Sequence, residues 1–183
     1  MPARLRRARS ELPRFAVAWF PRFDGLEAIE DFRRAHDPMA PLIPAHVTLV
    51  FPFPTALTRL QVETHVKRVV SRWPPIPASF RAVRLHANEF VFLMASRGAA
   101  AIAELHDKLY TRSLLPYLRR DLPYEAHITI ARDPSLPKLE SALEAARGRF
   151  GREFADVLRE VTLLAVGRDG RIERLADIAL HSE

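Results

Sequence analysis

The chain contains no cysteine, so it can hold no disulfide, thiolate nucleophile, iron–sulfur cluster or cysteine-bound zinc. Glycine is also scarce, at 6 of 183 residues. No Gly-rich phosphate loop and no Gly-x-Ser-x-Gly elbow can be assembled from these glycines, which removes the usual signals of P-loop or dinucleotide chemistry and of serine esterases. No apolar run approaches the roughly 18 residues of a spanning helix, so the chain is expected not to cross a membrane. The stretch Phe15–Phe20 behind Arg4, Arg6, Arg7 and Arg9 imitates a signal peptide, but it is too short and is bracketed by Pro13 and Pro21. A lack of cysteine permits a reducing compartment, and a cytoplasmic location is the expectation.

What is present is a balanced globular composition, 48% hydrophobic and 27% charged, which excludes bulk disorder. Lys and Arg number 28 against 22 Asp and Glu, and this +6 balance favours an anionic partner, nucleic acid or a phosphorylated metabolite. The length fits one domain with a continuous core. We expect a flexible basic arm over 1–12 and a single domain over 13–183.

Pattern and punctuation predict a mixture of helices and strands throughout. Phe15–Phe20 reads as a buried strand, followed by a helix capped by Asp24 and running to about Ala35, with Leu26, Ile29 and Phe32 on one face. His46–Phe51 reads as a strand closed by Pro52 and Pro54, and Leu57–Trp73 as a helix. Phe80–Leu85 and Phe90–Met94 flank the turn residues Ala87, Asn88 and Glu89 as a hairpin. A helix is expected from Ala99 to about Leu115, then a strand Tyr124–Ala131 and a helix Leu136–Arg149. A closing hairpin, Val161–Val166 with Ile172–Leu180, turns at Asp169-Gly170.

A repeat lies inside this order: a strand bearing His-x-Thr and followed by a helix occurs at His46 and again at His127. Side chains alternate across a strand, so His46 and Thr48 share one face and Val47, Leu49 and Phe51 the other; His127 and Thr129 are likewise opposed to Ile128 and Ile130. One such pair is ordinarily a satisfied core or edge pair. Two, from similar halves, can converge on one cleft, where one imidazole takes a proton while the other gives one and the threonine hydroxyls hold phosphate oxygens. That constellation suits metal-free phosphodiester chemistry.

These motifs, His46-Val-Thr-Leu and His127-Ile-Thr-Ile within Pro44–Phe53 and Pro123–Arg132, resemble those of the 2H phosphoesterases. The style is that of the 2′-5′ RNA ligase-like, or RNA 2′,3′-cyclic phosphodiesterase, branch, and the resemblance spans about residues 14–180. It implies an α+β, bilobal fold in which two pseudo-twofold-related halves line a central cleft with antiparallel sheets and carry helices outside. It further implies hydrolysis of RNA-terminal or nucleotide 2′,3′-cyclic phosphates to 2′-phosphomonoesters without metal or cofactor, with reverse ligation at most a side reaction. Carried onto this chain, His46 and His127 are the acid/base pair and Thr48 and Thr129 the phosphate-holding hydroxyls; which histidine is the base stays open.

Arg132 stands where this branch often has an arginine, although strand parity puts it on the face opposite His127, so it reads equally as a phosphate contact or a solvated charge. Phe51, Phe53, Phe92 and Tyr124 are candidate base-stacking residues, with Phe51 on the apolar face of its strand. The dipeptides His36-Asp37 and His106-Asp107 resemble a pattern of metal-dependent phosphohydrolases, but further ligands are lacking and no metal site is expected. His106 is expected exposed on its helix, and His65, His86 and His181 are expected at the surface. The alternative function is a non-catalytic RNA- or nucleotide-binding module on the same fold; in either case the partner is an RNA end or a small cyclic nucleotide, met by a monomer.

Overall fold

The computed structural model describes residues 12–181. Of the basic arm expected over 1–12, all but Leu12 lies outside the described residues. The elements run β1 (Arg14–Trp19), α1 (Leu26–His36), β2 (Val47–Pro54), α2 (Arg59–Val70), β3 (Ile76–His86), β4 (Phe90–Ala95), α3 (Ala99–Leu109), a 3-10 turn (Arg112–Tyr117), β5 (His127–Arg132), α4 (Leu136–Arg149), β6 (Phe154–Leu158), β7 (Glu160–Val166) and β8 (Ile172–Ala179).

The strands form two four-stranded sheets, β2-β1-β7-β8 and β5-β4-β3-β6, with every pairing antiparallel. The unit β1-α1-β2-α2 recurs as β4-α3-β5-α4, and in each copy the motif strand is the sheet's edge. The first helix of each copy crosses to the other: α1 packs on β5 and α3 on β2, while the two motif strands also touch.

Both crossing helices start the same way, which corrects the cap expected at Asp24. Gly25 (φ 93°) and Gly98 (φ 77°) occupy the N-cap positions in the left-handed region, where a side chain would be strained; at Gly98 a Cβ would also come within 2.5 Å of the Pro77 carbonyl. By contrast α2 starts on a capping box, Thr58 with Gln61. Pro52 does not end β2, which runs on to Pro54, because an edge strand needs no donor on its outer side. The helix expected to reach Leu115 stops at Leu109, and β6 was not foreseen from the sequence. The β3–β4 turn places Ala87 (φ 51°) and Asn88 (φ 55°) in succession in the left-handed region, the twist a tight hairpin requires.

The main core lies between the sheets and helices, built from Val17, Trp19, Val47, Leu49, Phe80, Ile102, Leu105, Ile128 and Leu163 among others. A separate apolar cluster, Ala16, Ala18, Ile43 and Leu164 with Phe20, Met39, Val166 and Ile172 against it, covers the other face of the first sheet. That face forms one wall of a cleft.

Candidate functional site

The cleft has a volume of about 460 Å³, and His46, Thr48, His127 and Thr129 all line it. Each imidazole is fixed in the same manner. Nδ1–H of His46 donates to the Pro44 carbonyl at 2.8 Å and that of His127 to the Glu125 carbonyl at 2.6 Å, in both cases the residue two positions upstream. A carbonyl only accepts, so each ring carries its neutral-form proton on Nδ1 and leaves Nε2 available as an acceptor. Both pKa values lie at about 4: desolvation lowers them most, the hydrogen bonds to the Pro44 and Glu125 carbonyls offset part of this, and the Arg33 and His127 charges for His46 and the His86 charge for His127 lower them as well. Neither threonine hydroxyl bonds to another described side chain or backbone group, which leaves both able to meet a ligand.

Strict alternation of side chains fails at the same place in both motif strands. In β2, Thr48 pairs with Ala18 but Val50 with Val17, so one extra residue is accommodated; in β5, Thr129 pairs with Phe92 but Ala131 with Val91. These are β-bulges, and beyond each the side chains change face. Leu49 and Val50 are therefore both buried, as are Ile130 and Ala131, and the next residues, Phe51 and Arg132, return to the cleft. This corrects the parity expected for both: Phe51 is not on the apolar face, and Arg132 is not opposed to His127. A second irregularity in β2 turns Phe53 into the core, where it meets Phe15 and Tyr117, so Phe53 is not part of the site.

Phe92 lines the cleft with one face stacked on His127 at 3.6 Å, and continues a ladder to His86 (4.7 Å) and Phe90 (5.7 Å). Phe90 escaped the sequence reading, although its alternation with Phe92 on one strand was a usable signal; the Arg132 guanidinium sits over its ring at 5.1 Å. Tyr124 does not line the cleft. Its ring stacks on His106 at 3.7 Å and its hydroxyl donates to the Thr48 carbonyl at 2.9 Å, so it joins the halves from behind.

Positive charge gathers in the cleft through Arg14, Arg33, Arg132 and Arg168, against Asp37 and Glu125. Arg33 was also missed. It is 1% exposed and binds Glu30 (2.9 Å), Asp37 (3.2 Å) and the Ile43 carbonyl (3.0 Å), while Glu30 accepts from the Ala45 amide at 2.6 Å. Thus α1 grips the segment that delivers His46, and Asp37 reaches across to Arg132 Nε at 3.9 Å. An Arg and an Asp one turn apart beside the apolar Ile29 and Phe32 were the sequence sign of this buried pair.

The remaining histidines depart from expectation as well. His106 is buried, its Nδ1–H donating to the Leu49 carbonyl at 2.8 Å; His65 is 2% exposed and bonds the Leu109 carbonyl; His86 lines the cleft; His181 is exposed as expected. His36 packs on Phe32. Among the described residues no three His, Asp or Glu side chains gather into a metal-binding group, and no helix is long and apolar enough to cross a membrane.

Known proteins show the same architecture. LigT of E. coli in apo form superposes with a TM-score of 0.63 at 19% identity, covering 93% of this chain and 98% of that one. TT0787 of Thermus thermophilus gives a TM-score of 0.64 at 17% identity, covering 94% and 100%. A protein of Geobacillus thermodenitrificans named "Putative phosphoesterase" is 24% identical over 163 residues, 88% of this chain and 84% of its own length. The profile of the 2'-5' RNA ligase superfamily matches residues 20–170, which takes in both motif strands, all of the second sheet and β2 and β7 of the first, and the chain belongs to that superfamily of 2H phosphoesterases.

Proposed function

We propose that this protein hydrolyses 2′,3′-cyclic phosphates on RNA ends or nucleotides to 2′-phosphomonoesters, with His46 and His127 as its acid/base pair. The observation that carries this reading is the twofold fixing of Nδ1, which turns an Nε2 from each half toward one cleft. One neutral Nε2 takes a proton from water as the water oxygen bonds to phosphorus. The other, protonated, gives its proton to the 3′ oxygen as the bond from phosphorus to that oxygen breaks. Proton exchange with solvent then resets the pair.

Thr48 and Thr129 donate to the non-bridging oxygens, and Arg132 adds charge to the same group. Both imidazoles are neutral in the empty cleft at pH 7, and the bound phosphodiester anion raises the pKa of whichever ring acts as acid. E. coli LigT has been crystallised with 3'-AMP and with phosphate, ligands of the chemistry this arginine- and hydroxyl-lined cleft suits. The protein is proposed to act as a cytoplasmic monomer, since one chain supplies both histidines.

The test is turnover of a 2′,3′-cyclic-phosphate-terminated oligonucleotide and a cyclic mononucleotide in EDTA. We expect His46→Ala and His127→Ala each to lower kcat by ~10²–10⁴-fold, the usual worth of a general acid or base. Tight binding without turnover by the wild type would instead establish a binding module, and activity surviving both substitutions would place the chemistry elsewhere.

A further inference from the structure

The bulge in β2 leaves backbone groups pointing away from its own sheet, and the second half of the molecule meets them with side chains. Tyr124 donates to the Thr48 carbonyl at 2.9 Å and His106 to the Leu49 carbonyl at 2.8 Å, and the Phe51 amide donates to the Tyr110 hydroxyl at 2.9 Å. Neighbouring carbonyls of a regular strand point to opposite edges. Here those of Thr48 and Leu49 both reach the stacked pair Tyr124 and His106, which only the bulge permits.

His106 and Tyr110 lie one turn apart on α3 and at its C-terminal end, and their rings meet edge to face at 4.9 Å. Their polar atoms take up Leu49 O, on the extra residue itself, and Phe51 N, two residues further on. Unwinding the bulge would strand a buried imidazole and a buried phenol without partners, and each such loss is costly in a low-dielectric interior. The same step would move Phe51 from the cleft to the core face, since a shift of one residue exchanges the faces of a strand.

We propose that Tyr110 and His106 are positioning residues of a specificity latch: they lock the β2 bulge and so hold Phe51 in the cleft, where its ring contacts the base of a nucleotide substrate. The proposal rests on the cyclic phosphodiesterase reading for its substrate class but not for its geometry. His46 and Thr48 precede the bulge and Phe51 follows it, so the latch governs binding and leaves the proton transfers alone. The equivalent place in the second half holds Arg132, and no tyrosine bonds its amide. The latch is therefore particular to the half that faces the aliphatic wall.

The experiment compares wild type, Phe51→Ala, Tyr110→Phe, the Phe51→Ala/Tyr110→Phe double variant, His106→Asn and His106→Leu. Each is measured for kcat and KM on adenosine 2′,3′-cyclic phosphate and for the Kd of adenosine 2′-monophosphate. Phe51→Ala is expected to raise KM and Kd by roughly 5- to 100-fold, the range for losing one base–aromatic stack. Tyr110→Phe and His106→Leu should raise both in the same direction with kcat held, His106→Asn should restore the wild-type values by keeping a donor near Nδ1, and the double variant should be no worse than Phe51→Ala alone.

Equal losses in kcat and KM, additive effects in the double variant, or an unchanged Kd in Phe51→Ala would each overturn the proposal. Should the wild type bind the nucleotide yet fail to turn over the cyclic substrate, the catalytic reading falls and the Kd series still decides the latch. Failure of the wild type to bind the nucleotide at all overturns both.

Discussion

Beside His127, the strand that pairs with Thr129 supplies Phe92, whose ring lies flat on the imidazole at 3.6 Å; beside His46, the strand that pairs with Thr48 supplies Ala18 at the same place. The two halves share the Nδ1 anchor, the threonine and the bulge, and they differ in what surrounds them. Around His127 the cleft wall is aromatic, with His86, Phe90 and Phe92 and the Arg132 cation over Phe90. Around His46 the floor is small and aliphatic, with Ala16, Ala18, Leu164, Val166 and Ile172, and the nearby rings are single ones, Phe20 at 6.0 Å from the imidazole and Phe51 on β2. In the proposed reaction a duplicated frame suffices for a proton to be given on one side and taken on the other, but a substrate has two different ends. The aromatic half stacks a ring on its own histidine, and the aliphatic half sets two buried alanines on the corresponding strand.

Three measurements probe this contrast. The largest effect concerns what the halves have in common. With both free-protein pKa values near 4, the form holding one proton on the pair dwindles about tenfold per pH unit above that value, so kcat/KM should fall ~100-fold between pH 5 and pH 7. The kcat profile, which reports the substrate complex, should hold to higher pH because the bound anion favours imidazolium. A kcat/KM bell centred at pH 7 would show that the cleft does not desolvate the pair.

The next effect lies in what the halves do not share. Arg132→Met should lower kcat/KM by roughly 10- to 100-fold, the worth of a charged hydrogen bond, and should flatten its dependence on salt. An unchanged salt response would assign Arg132 to Asp37 and Phe90 alone. The smallest effect is steric: Ala18 is buried at the base of the cleft, so Ala18→Leu pushes a branched side chain into the cleft volume and should raise KM several-fold with little change in kcat. An unaltered KM would mean that the substrate keeps to the aromatic side.

Much of this arrangement was legible in the sequence. Both His-x-Thr strands, their equivalence and the hairpins followed from period-2 alternation and from turn residues, and α4 lies where periodicity put it, Leu136–Arg149. What alternation could not show were its own interruptions. A bulge has no fixed residue signature, so Phe51 and Arg132 were read onto the wrong faces and Phe53 onto the right strand for the wrong purpose. Tyr124 was read as a ligand-facing aromatic because proximity in sequence to His127 says nothing of the turn that sends its hydroxyl behind the neighbouring motif strand. His65 and His106 were read as surface polar groups; their partners, Leu109 O and Leu49 O, are backbone atoms that no side-chain pattern announces.

The sheet that carries His127 is made from one uninterrupted stretch, β3 to β6, whereas the sheet that carries His46 joins β1 and β2 to β7 and β8 from the far end of the chain. On the ribosome, where synthesis proceeds at ~5–20 residues per second, the two histidines therefore mature in the reverse of their order in the sequence. His46 is made first, yet β1 must wait with one edge bare until residue 160 and beyond emerge to pair with it. A chain halted after β6 would carry a finished sheet around His127 and half of one around His46, with the free edge of β1 exposed to neighbouring chains.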